Sequence, residues 1–92
     1  MQVSFFATLR QIVGTKTVAF DLPDQATIGQ LIDLMVTRYP DLRRELLDES
    51  GNLYGHVHVF VNGRDVPYLE NRLETVLKED DVISVFPAVG GG

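Results

Sequence analysis

The sequence predicts an α+β layer, a mixed sheet of four to five strands with one main helix packed across one face. Two observations carry this. Several short segments alternate apolar and polar residues at the period of a strand, while only the stretch from Thr27 to Tyr39 keeps a long helical period. Those strand segments lie on both sides of the helical stretch, which favours strands of one sheet sharing a single helix over separate layers.

The elements follow in order. Val3, Phe5 and Ala7 alternate with Ser4, Phe6 and Thr8, and predict a first strand. Leu9–Val13 reads as a connection that turns at Gly14, and Thr15–Leu22 as a second strand, with Val18 and Phe20 opposed to Lys16, Thr17 and Ala19. The two make a hairpin. Pro23-Asp24-Gln25 breaks it. Thr27 with Gln30 has capping-box spacing. The helix it opens carries Ile28, Leu31, Ile32, Leu34, Met35 and Tyr39 as one stripe, and Pro40 stops it. Asp41 is placed to cap a shorter helix over Leu42–Leu47, closed by Ser50-Gly51-Asn52.

His56–Val61 is the clearest strand, and Asn62-Gly63 after it is a tight-turn signal. Arg64-Asp65-Val66 predicts a short return strand, ended by Pro67. Tyr68–Val76 has little period beyond a single turn near Glu70-Asn71-Arg72. Lys78–Asp81 is a polar turn and Val82–Phe86 the last strand, with Pro87 where pairing must stop.

Alternation then divides the side chains. If the helix covers Val3, Phe5, Val57, Val59, Val61, Ile83 and Val85, the other face carries Ser4, Phe6, His56, His58, Phe60, Val82, Ser84 and Phe86. Phe6, Phe60 and Phe86 then form an apolar patch with no helix over it, the usual mark of a partner surface. The alternative is that the segment 42–55 folds across them.

With 92 residues the chain is expected to be a single domain, 1–92, carrying a flexible glycine tail over 88–92. It holds 13 acidic against 8 basic residues, a formal net charge of −5, which argues against nucleic acid. There is no cysteine, hence no disulfide, thiol nucleophile or cysteine zinc site. Neither a signal peptide nor a membrane-length apolar run is readable, and a cytoplasmic protein is expected. No metal site is expected: His56 and His58 share a strand face without an evident third ligand, and read as surface histidines. The side chains offer no catalytic constellation.

What is left is the main chain. The sequence closes on Pro87-Ala88-Val89-Gly90-Gly91-Gly92. Read as a tail, three glycines are thin enough to thread a narrow channel and deliver the Gly92 carboxylate to another protein's active site; the plain alternative is a frayed terminus. A carboxylate is a poor electrophile until it is adenylated. Its acyl-adenylate then yields a thiocarboxylate with sulfur or an amide with an amine.

The ending Asp81–Gly92 resembles the C-terminal signature of the ubiquitin-like sulfur carriers, a family that includes the small subunit of molybdopterin synthase, the thiamine-pathway carrier and the sulfide carrier for cysteine synthesis. Phe5-Phe6-Ala7-Thr8-Leu9-Arg10 with Gly14 is similar to the molybdopterin-synthase subunit, and Val59–Gly63 to the family's central strand and turn. The resemblance implies a β-grasp fold and a carrier that is not an enzyme by itself. Gly92, preceded by Gly91 and Gly90, would be adenylated by a ubiquitin-activating-enzyme-like partner using MgATP and then thiocarboxylated, with no cofactor stably bound. Phe6 and Phe86 match the family's hydrophobic docking surface; Phe60, Pro87 and Val89 are counted with them as partner-binding. The implied recipient is the molybdopterin synthase large subunit, with neither nucleic acid nor membrane as partner. Gly90 stands where the family commonly has a non-glycine residue, Pro87-Ala88 replaces the frequent Pro-Pro, and residues 41–56 are longer than in the shortest members. The last two features look more like the cysteine-synthesis carrier and archaeal relatives that also modify proteins. Sulfide delivery for cysteine synthesis, tRNA thiolation and conjugation to lysines therefore stand as alternatives. A plain β-grasp interaction module, for which the tail is incidental, is a further one.

Overall fold

A computed structural model describes residues 1–87. The expectations placed on Ala88, Val89, Gly90, Gly91 and Gly92 lie outside the described residues. Five strands form one sheet: β1 (Gln2–Phe5), β2 (Thr17–Ala19), β3 (His58–Val61), β4 (Arg64–Asp65) and β5 (Ile83–Phe86), in the order β2-β1-β5-β3-β4. The central pair β1 and β5 is parallel, and the other three pairings are antiparallel. The sheet is mixed and α+β, as alternation and the single long helical stripe predict.

The helix α1 (Ala7–Val13) is the main correction to the sequence reading, which expects a connection there. Its N-cap, Phe6, is extended and makes no side-chain cap bond, so the usual start signal is missing. Ala7 instead turns the chain sharply at φ 53°, a left-handed conformation that costs a residue with a Cβ about 1–2 kcal/mol. Leu9, fully buried, anchors the helix. Gly14 ends it at φ 85°, its N–H donating to the Arg10 carbonyl at 2.9 Å. The antiparallel pairing of β1 with β2 is present as expected, with α1 carried in its connection.

The helix α2 (Ile28–Arg38) starts as its sequence demands. The Thr27 hydroxyl accepts from the Gln30 N–H at 3.2 Å, and the Thr27 N–H donates to Gln30 Oε1 at 2.8 Å. Ile28, Leu31, Ile32, Met35 and Val36 are its buried face. Leu34, assigned to that stripe from spacing, is 38% exposed: the backbone turns it about a third of the way round the helix from Ile28 and nearly half-way round from Ile32. Pro40 stops α2 and opens a 3-10 turn, Pro40–Leu42, leading into α3 (Arg43–Leu46). Asp41 does not cap α3, whose N-cap is Leu42 without a side-chain bond. The Asp48 carboxylate closes the following turn, accepting from the Ser50 and Asn52 N–H groups at 2.8 and 3.0 Å.

Asn62 and Gly63, at φ 54° and 85°, make the tight turn between β3 and β4. Val66 is not part of β4; it begins a 3-10 turn with Pro67 and Tyr68. The turn expected near Glu70-Asn71-Arg72 falls over Arg72–Glu74. The core gathers Val3, Phe5, Val59, Ile83 and Val85 from the sheet with Leu31 and Met35 from α2. Leu42, Leu46 and Leu47 join that same core, so the segment 42–55 sends its leucines to the helix side of the sheet.

Candidate docking site

The register brings the three outward phenylalanines together. In the parallel pair, Phe5 stands beside Val85, which places Phe6 next to Phe86; in the antiparallel pair, His58 faces Phe86 and Phe60 faces Ser84. The Phe6 N–H donates to the Val85 carbonyl at 3.2 Å, holding Phe6 on the sheet before Ala7 turns the chain away. The Phe6 and Phe86 rings stack with centroids 4.2 Å apart and planes 9° from parallel. Phe60 meets Phe86 edge-on at 5.4 Å. Each such pair contributes about 0.5–1.5 kcal/mol beyond the area it buries. All three rings remain half-buried, so the cluster is preformed and open to solvent.

The rim of this patch was not legible from alternation. The Lys16 ammonium lies 5.6 Å from the centre of the Phe6 ring. At the other side, His58 Nδ1 and Asp65 Oδ2 are 2.6 Å apart, and Asp65 Oδ1 accepts from the Val66 N–H at 2.9 Å. Tyr68, 79% exposed, borders a shallow depression shared with His58, Phe60 and Arg64. Its segment has no period, so only the turn at Pro67 hinted that Tyr68 leaves the core. Pro87 ends pairing as predicted, but it is buried and adds little to the accessible surface.

The two histidines do not act together. His56 precedes β3, outside the strand it was assigned to, and stacks on Tyr54 at 4.9 Å, while His58 is engaged by Asp65. No group of three or more histidine, aspartate or glutamate side chains suited to a metal occurs among the described residues. Among them, too, no helix is long and apolar enough to cross a membrane.

A mixed sheet backed by one long helix, with an open aromatic face on its other side, defines a ubiquitin-like fold. The chain belongs to the ThiS family, whose model matches residues 3–92. It is 38% identical over 92 residues to small archaeal modifier protein 3 of Haloferax volcanii, covering 100% of this chain and 98% of that one. It is 30% identical over 93 residues to the molybdopterin synthase sulfur carrier subunit of Drosophila erecta, covering 100% and 90% of the two. The crystal structure of SAMP1 from Haloferax volcanii superimposes with a TM-score of 0.86 at 31% identity, covering 99% of this chain and 97% of that one. The fold is thus the β-grasp, and the family is one of small ubiquitin-like sulfur carriers and modifiers.

Proposed function

We propose that this chain is a sulfur carrier whose Gly92 carboxylate is adenylated and then thiocarboxylated. The observation that carries the reading is the stacked Phe6–Phe86 pair with Phe60 against it, an accessible aromatic face at the very end of β5. A partner that grips this face holds the chain a few residues upstream of Gly90-Gly91-Gly92. Adenylation has a carboxylate oxygen attack the α-phosphorus of MgATP held by the activating enzyme, with pyrophosphate leaving. Hydrosulfide from the sulfur donor then attacks the acyl carbon, AMP departs, and the thiocarboxylate remains. Glycine places no branch beside that carbon, so the attacking group meets little steric resistance. The carrier itself supplies no side chain to either step and binds no cofactor stably.

The sulfur goes, in this reading, to a molybdopterin-synthase large subunit, a destination supported by the likeness to the Drosophila erecta carrier along the whole chain. A second reading, conjugation to lysines as a protein modifier, is favoured by the 38% identity to an archaeal modifier. The deciding experiment is the intact mass of the protein after incubation with an activating enzyme, MgATP and a sulfur donor. Replacement of one terminal oxygen by sulfur is expected, and removal of Gly92 should abolish it. An unchanged mass under turnover of ATP would sink the carrier reading, and amide-linked adducts on other proteins would establish the modifier.

A further inference from the structure

The aromatic face carries a charge pattern opposite to that of the whole molecule. The chain as a whole is acidic, at −5. Asp65, by contrast, is the one carboxylate among the outward strand positions described here, and both of its oxygens are taken, by His58 and by the Val66 N–H. Lys16, exposed beside Phe6, has no carboxylate within salt-bridge distance among the described residues. Its backbone is held by the sheet, because its carbonyl accepts from the Phe5 N–H at 2.7 Å, and this roots the side chain beside Phe6.

This arrangement constrains whatever covers the face. A partner surface closing over Phe6 and Phe86 also covers an ammonium 5.6 Å from the Phe6 ring. Stripping water from a cation without giving it an acceptor is strongly unfavourable. The Phe6 ring offers only the weak attraction of its π face. A cognate partner must therefore bring the acceptor itself.

We propose that Lys16 is an ionic anchor of the docking face, and that the activating partner presents an apolar patch edged by an aspartate or glutamate that meets it. This rests on the docking reading above and adds the chemistry of the partner surface. It also separates two electrostatic effects: the molecule's net charge favours basic surroundings at long range, while the contact itself selects an acid.

The test is the association rate of the full chain with the activating enzyme, followed from about 0.05 to about 0.5 M salt. Lys16→Glu is expected to slow association about tenfold at low salt and to weaken its salt-induced decline. Lys16→Arg should behave as the native chain, and Lys16→Met, which keeps the apolar stem, should fall between. Lys78→Glu, on the turn before β5 at the other end of that strand, serves as the control for net charge. Equal effects of Lys16→Glu and Lys78→Glu would overturn the anchor. Loss of binding in Phe86→Ala alongside an unaffected Lys16→Glu would do the same while leaving the docking face standing. Unimpaired binding in Phe86→Ala would remove the docking face itself, and the anchor with it.

Discussion

The two faces of this sheet are built from the same strands, residue by residue in alternation, yet they have opposite fates. Phe5 is fully buried and its neighbour Phe6 is not; Val85 is fully buried and Phe86 is half-open. On the inner face, α2 and the leucines of residues 42–47 close over Val3, Phe5, Ile83 and Val85. On the outer face, among the described residues, the phenylalanine rings lie against one another, the Lys16 ammonium and the His58 ring. Hydrophobicity therefore does not distinguish the core from the docking face here. What distinguishes them is whether the chain supplies its own cover.

The largest effect that separates the faces is on stability. Phe5→Ala is expected to destabilise by about 3–5 kcal/mol, because a fully buried ring leaves a cavity that the surrounding packing cannot fill. Chemical denaturation measures it directly. A cost no greater than that of Phe6→Ala would break the comparison, since it would mean that inward and outward phenylalanines hold the fold equally.

Phe86→Ala probes the other side. Its loss of folding stability should be smaller, about 1–2 kcal/mol, in keeping with a ring left half in water that gives up two aromatic contacts. Its loss of affinity for the activating partner should be larger, about 2 kcal/mol or more, as for an anchor at the centre of an interface. Melting and titration on the same sample give both numbers. If the stability loss exceeds the affinity loss, the outer cluster is a structural device rather than a docking face.

Much of this division was legible in the sequence, because strand alternation is a rigid consequence of backbone geometry. The inward set Val59, Val61, Ile83 and Val85 and the outward set Phe60, Ser84 and Phe86 lie as the pattern places them. The capping box of α2 was equally legible, since Thr27 and Gln30 satisfy each other's backbone groups locally. The failures share a cause. The helix α1 begins without a capping side chain, at an Ala7 whose left-handed conformation no local preference favours, and it is stabilised by tertiary burial of Leu9. His56 was assigned to a strand that starts two residues later, at His58. Lys16 and Tyr68 join the rim through neighbours that are distant in sequence, Phe6 and Phe60, which no pattern in their own segments could announce.

The finest cut between the faces is made within β5 itself. Ser84 lies between the buried Ile83 and Val85, pairs across to Ser4 and Phe60, and points outward. It forms part of a row of small hydroxyl residues with Ser4 and Thr17, whose hydroxyls lie 3.4 Å apart. Because the described residues put no cover on this side, Ser84→Ala removes an oxygen from a surface already in contact with water, and stability should stay within about 0.5 kcal/mol of the native value. Val85→Ala, one position along, should cost several times more, since its methyl groups lie wholly inside the core. Denaturant midpoints of the two variants compare them under identical conditions. Similar losses would mean that burial on the two sides of this strand differs less than the accessible surface implies, and that something in solution already lies over the outer face.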